Sequence, residues 1–333
     1  MTDKITELLA TREYLLADGA MGTNLFQLGL ANGASGERWN VEDPDKLRGL
    51  HRSMVEAGAD ILLTNTFGAN KFRFQLHGLE DRVHELNEAG AAIAREIADQ
   101  AGHDVVVAGS MGPTGDVLEP LGERTVAEAE DAFTEQAEAL KAGGVDVAWI
   151  ETMYAENELG AAITGATRAG LPFIATMTFD SGGRTMMGIR PQDAIQLEPC
   201  RHHHPVGFGA NCGVGPAQLL DSILGIAHAA NPGAIIVAKS NCGLPVLNDE
   251  MQVVYDGTPE IMSDYARMAR DAGARIIGGC CGTTVEHVRA MRESLESTTR
   301  GSAPTYLEIE ERLGPVKTTV DVEKAVKRAR KEG

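Results

Sequence analysis

The chain has 333 residues, 43% of them hydrophobic and 23% charged, with a formal net charge of −18. That acidity excludes nucleic acid as an expected partner, because phosphate binding is driven by basic surface, and no apolar run approaches the ~20 residues of a membrane span. Five cysteines cannot all pair within the chain, and the charged stretch Met1 to Glu13 lacks the apolar core of a secretory signal, so a reducing, cytoplasmic setting is expected.

Short apolar runs then alternate with longer helical patterns. The candidate strands are Leu15–Ala20, Ile61–Phe67, Val105–Gly109, Val145–Ile150, Phe173–Phe179, Val206–Ala210, Ile235–Ser240 and Arg275–Gly278. Helical patterns such as Glu85–Gln100, Ala127–Ala142, Glu156–Ala169 and Thr258–Ala272 fall between them. Glycines 58, 143 and 273 close three helices just before the next strand, where a left-handed turn is needed. Eight strand-then-helix units with continuously apolar strands predict an α/β fold, a single (β/α)8 barrel, with an open doubly wound sheet as the alternative. The barrel is assigned to residues 1–300. The charged, proline-containing segment 301–333 reads as a C-terminal tail, a surface extension or the subunit-contact arm of a homo-oligomer.

Barrel active sites gather at the C-terminal ends of the strands, and the chemically purposeful residues fall there. Asp18-Gly19 follows strand one, Thr64-Asn65-Thr66-Phe67 closes strand two, Gly109 to Pro113 closes strand three and Glu151-Thr152 ends strand four. Asn211-Cys212 ends strand six and Cys280-Cys281 ends strand eight. Adjacent cysteines strain a mutual disulfide but can face one soft metal ion. With Cys212 they make three thiolates and one open position, the pattern of a catalytic zinc site rather than a closed structural one. His202-His203-His204 precedes Pro205 at a helix-to-strand turn and reads as solvated; Cys242 follows strand seven, close to the mouth.

This ordered set resembles the zinc-dependent homocysteine S-methyltransferase family, which includes betaine–homocysteine methyltransferase and the homocysteine-binding module of cobalamin-dependent methionine synthase. The matching elements run from Asp18-Gly19-Ala20-Met21-Gly22-Thr23 to Gly278-Gly279-Cys280-Cys281-Gly282-Thr283. The resemblance implies zinc on Cys212, Cys280 and Cys281, small-molecule substrates, and methylation of the homocysteine sulfur to give methionine. It also implies recognition of the homocysteine amino group by Asp18 and Glu151. Asn65 and the backbone near Gly109–Gly112 are candidates for the carboxylate. Trp39 resembles the tryptophan that contacts betaine, which favours a small onium donor with betaine leading. The two tyrosines of the betaine enzymes are replaced by Gly68 and Thr152, with Phe72, Phe74 and Tyr154 nearby as substitutes. The alternatives are S-methylmethionine, dimethylsulfoniopropionate, or a methyl group delivered by a separate methylcobalamin protein.

Overall fold

The computed structural model describes residues 3–180, 182–243, 245–247 and 253–316. Its strands are β1 (Leu15–Leu16), β2 (Ile61–Leu63), β3 (Val106–Met111), β4 (Val147–Met153), β5 (Phe173–Met177), β6 (Gly207–Cys212), β7 (Ile236–Ser240), β8 (Pro245–Leu247), β9 (Val253–Tyr255) and β10 (Ala274–Gly279). Eight of them form one parallel sheet in the order β1-β10-β7-β6-β5-β4-β3-β2. A bridge between Ala17 and Ile61 joins the two ends, so the sheet closes as the expected (β/α)8 barrel. β8 and β9 form an antiparallel hairpin after β7 that the apolar pattern did not announce.

The strands read as continuously apolar because both of their faces are covered. One set of alternating side chains, including Leu15, Ile61, Val106, Val147, Trp149 and Ile276, fills the barrel interior together with Ile5 and Leu9 of the helix Lys4–Leu9. That helix therefore plugs the N-terminal end of the barrel and leaves the opposite end free. The complementary set, including Leu16, Leu62, Val107, Ala148 and Ile277, packs under the outer helices. Gly209 in β6 faces Val237 of β7, and a Cβ there would lie 1.8 Å from the Val237 carbonyl oxygen. Only glycine lets the two strands approach that closely.

β1 and β2 are shorter than the expected Leu15–Ala20 and Ile61–Phe67. Side chains take over the ladder there: Asp18 Oδ2 accepts from the Leu63 amide at 2.9 Å, and Thr66 Oγ1 donates to the Ser110 carbonyl at 2.8 Å. The backbone thus leaves the sheet early and turns toward the mouth. The seam is reinforced from below by Asp60, whose carboxylate accepts from the Leu16 amide at 2.8 Å and pairs with Arg12 and Arg292.

After Gly301 the helix Tyr306–Leu313 lies on the helices Pro216–Ala229 and Pro259–Asp271. It buries Ile309, and the Tyr306 hydroxyl donates to Asp221 at 2.7 Å. The basic stretch Lys324 to Lys331 lies outside the described residues. No described helix is long and apolar enough to cross a membrane.

Candidate metal and substrate site

Cys212 is the last residue of β6, and Cys280-Cys281 follow the last residue of β10. β7 runs between those two strands, so the thiols meet above its end: the three Sγ atoms all lie within 4.8 Å of one another. Backbone contacts from the β7 loop fix the pair. The Cys280 amide donates to the Ser240 carbonyl at 2.5 Å, the Cys281 amide donates to Asn241 Oδ1 at 3.0 Å, and the Cys281 carbonyl accepts from the Cys242 amide at 2.8 Å. Asn241 Nδ2 reaches across to the Gly213 carbonyl at 2.6 Å, which ties the Cys212 turn to the Cys280-Cys281 turn.

Asn211, fully buried, organises the other side. Its Oδ1 accepts from the Thr152 amide and the Thr176 hydroxyl, both at 2.7 Å, while Nδ2 donates to Thr152 Oγ1 at 2.7 Å. Nδ2 also stands 3.4 Å from Glu151 Oε2 and 3.9 Å from Cys280 Sγ. Thr152 and Cys212 both have left-handed backbones, with φ of 64° and 62°. Such conformations cost about 1–3 kcal/mol in non-glycine residues, and here the Asn211 bonds hold them.

A tetrahedral thiolate zinc site, with Zn–S near 2.3 Å, needs sulfurs roughly 3.8 Å apart. The trio's separations, all within 4.8 Å, are of that order, and three soft sulfur donors beside a cavity fit such an ion. Without a cation the cluster shares charge unevenly. Cys281 is held well below the usual thiol range because the Cys212 and Cys280 thiols donate to it, while Cys212, as a donor to both neighbours, is pushed up. A divalent ion is what allows all three to ionise together.

The trio opens into a cavity of about 420 Å³ whose wall includes Glu151, Lys239, Asn65, Phe26, Phe67 and Glu37. Glu151 accepts from the Ser110 hydroxyl at 2.5 Å, and burial pushes its carboxyl up to about 7. Burial likewise pushes Asp18 up to about 6 against the opposing pull of Lys239. A larger surface groove of about 790 Å³, near Leu121, Tyr154 and Glu158, contains none of the three thiols.

The structure therefore brings Cys212, Cys280, Cys281, Glu151 and Asn65 to one cavity. Asn65 is already engaged, donating to the Gly36 carbonyl at 2.8 Å and to Asn40 Oδ1 at 2.9 Å, so its amide steadies the loop over the mouth. Asp18 is buried behind the wall. Trp39 does not line the cavity; it packs half-buried at the start of the helix Trp39–Glu42, with the Lys46 ammonium 4.1 Å from its ring centroid. Phe74 is buried in a separate small cluster, and Phe72 faces the Arg124 guanidinium at 3.6 Å. The rings that do reach the cavity, Phe26 and Phe67, were not singled out as aromatic-cage residues. Cys242 is fully buried beside His287 at 3.2 Å, outside the trio. The three histidines at 202–204 are exposed.

Sequence reasoning missed Lys239. Its signal was a lysine near the end of the apolar run Ile235–Ser240, a position from which a side chain reaches the mouth of a barrel.

The model of the homocysteine S-methyltransferase family matches residues 15–295. The methionine synthases of Mycobacterium leprae and Mycobacterium tuberculosis are 32% and 34% identical over 90% and 89% of this chain. The chain spans 26% of the length of each. Among solved structures, the oxidised form of the Escherichia coli homocysteine methyltransferase MmuM superposes with a TM-score of 0.74 at 23% identity, covering 88% of this chain and 99% of that one. Its metallated form gives 0.72 at 24% identity, covering 87% and 99%. The chain belongs to the homocysteine S-methyltransferase family.

Proposed function

We propose that this protein binds zinc through Cys212, Cys280 and Cys281 and transfers a methyl group from a small onium donor to the sulfur of L-homocysteine, giving methionine. The observation that carries the reading is the convergence of three thiols on a cavity whose wall also holds a buried carboxylate, Glu151. Bound zinc would supply Lewis acidity, holding an acceptor thiol as thiolate near neutral pH, well below its ordinary pKa of about 8.5.

The chain's own residues provide placement. Glu151, oriented by Ser110 and Asn211, accepts the substrate ammonium and thereby aims the sulfur. Phe26, Phe67 and Leu25 line the outer cavity and exclude water from the transfer. The sulfur attacks the methyl carbon in line, the carbon–onium bond breaks, and its electron pair stays on the departing nitrogen or sulfur, which becomes neutral. No acid is needed for that leaving group, so catalysis rests on activation and orientation.

For the donor, the Phe26 ring and the Glu37 carboxylate offer a surface that suits an onium cation, while the Phe67 face already takes the Arg73 guanidinium at 5.7 Å; betaine, S-methylmethionine and dimethylsulfoniopropionate are the candidates. A second reading is favoured by the methionine synthase relatives: a separate methylcobalamin protein presents the methyl group at the same mouth. Purified protein incubated with zinc, homocysteine and each onium compound, or with methylcobalamin, should yield methionine with one class of donor. No methionine from any donor refutes the activity. Full zinc occupancy in the Cys212→Ser, Cys280→Ser, Cys281→Ser triple variant refutes the ligand set.

A further inference from the structure

Arg73 and Glu37 bring opposite charges to the wall of the thiol cavity, both half-buried, and neither has an ion-pair partner among the described residues. They flank Gly68, where a Cβ would lie 2.8 Å from Glu37 Oε1 and 3.4 Å from Arg73 Nε. A residue without a side chain leaves that space to the two charges. Glu37 uses one acceptor position on each oxygen, Oε1 for the Gly68 amide at 2.8 Å and Oε2 for the Ser35 hydroxyl at 2.6 Å, and a carboxylate has capacity for more. The Arg73 guanidinium stands 5.7 Å from the Phe67 ring centroid and donates no hydrogen bond among the described residues. The neighbouring Glu158 feels its charge but accepts instead from the Thr114 amide and hydroxyl, at 2.8 and 2.6 Å. A planar fork of N–H donors, shaped to match a carboxylate, is thus left uncommitted at the cavity wall.

We infer that Arg73 and Glu37 together select the methyl donor: a short zwitterion whose carboxylate is taken by Arg73 and whose onium centre lies against Glu37 and the Phe26 ring. This rests on the proposed onium-donor reading and narrows it. Because both charges border the same residue, Gly68, the sites for the two ends of the donor are close together. That proximity suits a molecule with one or two carbons between onium centre and carboxylate, the class of betaine and dimethylsulfoniopropionate. S-methylmethionine fits less well, since its chain is longer and its ammonium is a second cation that would need a further acceptor. An onium compound without a carboxylate would displace water from the guanidinium and give it nothing in return. Arg73 therefore sets specificity and takes no part in making or breaking bonds.

The test uses the zinc-loaded protein with homocysteine and two matched pairs of donors: dimethylsulfoniopropionate against trimethylsulfonium, and glycine betaine against tetramethylammonium. The wild-type protein should prefer the carboxylate-bearing member of a pair by about tenfold or more in kcat/KM, the contribution of one charge-assisted pair. Arg73→Met should shrink that preference to within about threefold, and Arg73→Lys, which keeps the charge without the fork, should retain part of it. Glu37→Gln should weaken all four donors and spare the preference. Calorimetric titration with L-homocysteine, which needs no turnover, separates donor from acceptor: its Kd should move less than about threefold in Arg73→Met. A loss of homocysteine affinity of about tenfold in that variant would give Arg73 to the amino-acid carboxylate and overturn the inference. An undiminished donor preference in Arg73→Met, or no preference in the wild-type protein, would overturn it while leaving the proposed activity standing. Failure of every onium compound with the wild-type protein would instead refute the donor reading, and the inference with it.

Discussion

Replacing Asn211 by alanine separates geometry from chemistry at this site. Asn211 makes three bonds of 2.7 Å to Thr152 and Thr176, each worth about 1 kcal/mol net. Leaving the Thr152 amide and Thr176 hydroxyl without partners adds roughly 1–3 kcal/mol. Together the loss is about 4–6 kcal/mol, a large share of the 5–15 kcal/mol that stabilises a typical domain. The variant also removes what holds Thr152 and Cys212 in left-handed backbone, so Cys212 Sγ should swing away from its partners. Thermal unfolding of the metal-free protein reads the first effect, and competition for zinc against a chromophoric chelator reads the second. Asn211→Asp, which keeps the acceptor for Thr152 and Thr176 but sets a second carboxylate beside Glu151, should lose less stability and push the Glu151 carboxyl further up. A destabilisation under about 1 kcal/mol with unchanged zinc affinity in Asn211→Ala would show that the strands alone set the thiol geometry.

Ligand binding should depend on pH through Glu151, whose carboxyl is held up to about 7 by burial. L-methionine, which has no titrating thiol, should bind about tenfold more weakly for each pH unit below that value, and Glu151→Gln should flatten the profile; a flat wild-type profile contradicts the role. His51 is buried with neither ring nitrogen hydrogen-bonded, and burial lowers it to about 4. A base whose folded pKa is depressed contributes stability that is full above its unfolded value near 6.5 and is lost as pH falls toward 4. That loss is about 3 kcal/mol at 1.36 kcal/mol per unit. His51→Leu should remove this part of the acid sensitivity and raise the melting temperature at pH 5; unchanged acid sensitivity would place the titration elsewhere. Gly209→Ala should force β6 and β7 apart, because its Cβ meets the Val237 carbonyl backbone, and cost upwards of about 3 kcal/mol; circular dichroism on heating decides, and a melt within a degree or two of wild type counts against the close approach.

The barrel was legible because its strands are buried on both faces, which writes them as unbroken apolar runs, and because glycine closes helices such as Pro44–Glu56 before the next strand. The thiol trio was legible for a related reason: a parallel barrel puts every strand end on one rim, so Cys212 and Cys280-Cys281 could be joined without knowing any distance. What stayed hidden depends on side-chain direction. Trp39 begins a short helix, and its ring takes Lys46, while Phe26 and Phe67 supply the aromatic wall. Lys239 was hidden inside an apolar strand, where a single charged residue reads as noise until its two carbonyl acceptors are seen. The early ends of β1 and β2 were equally unreadable, because Asp18 and Thr66 replace ladder bonds with side-chain bonds.

The wall of the barrel is uneven in strength. β4 is seven residues long, whereas β1 has two and meets β2 through the Ala17–Ile61 bridge. Amide exchange should therefore start along that line, with the Asp18 and Leu63 amides, bonded to the Ile61 carbonyl and the Asp18 carboxylate, exchanging together and well ahead of those in β4. Because Asp18 also faces Lys239, and Lys239 lines the cavity, an opening of the seam should be felt at the cavity wall.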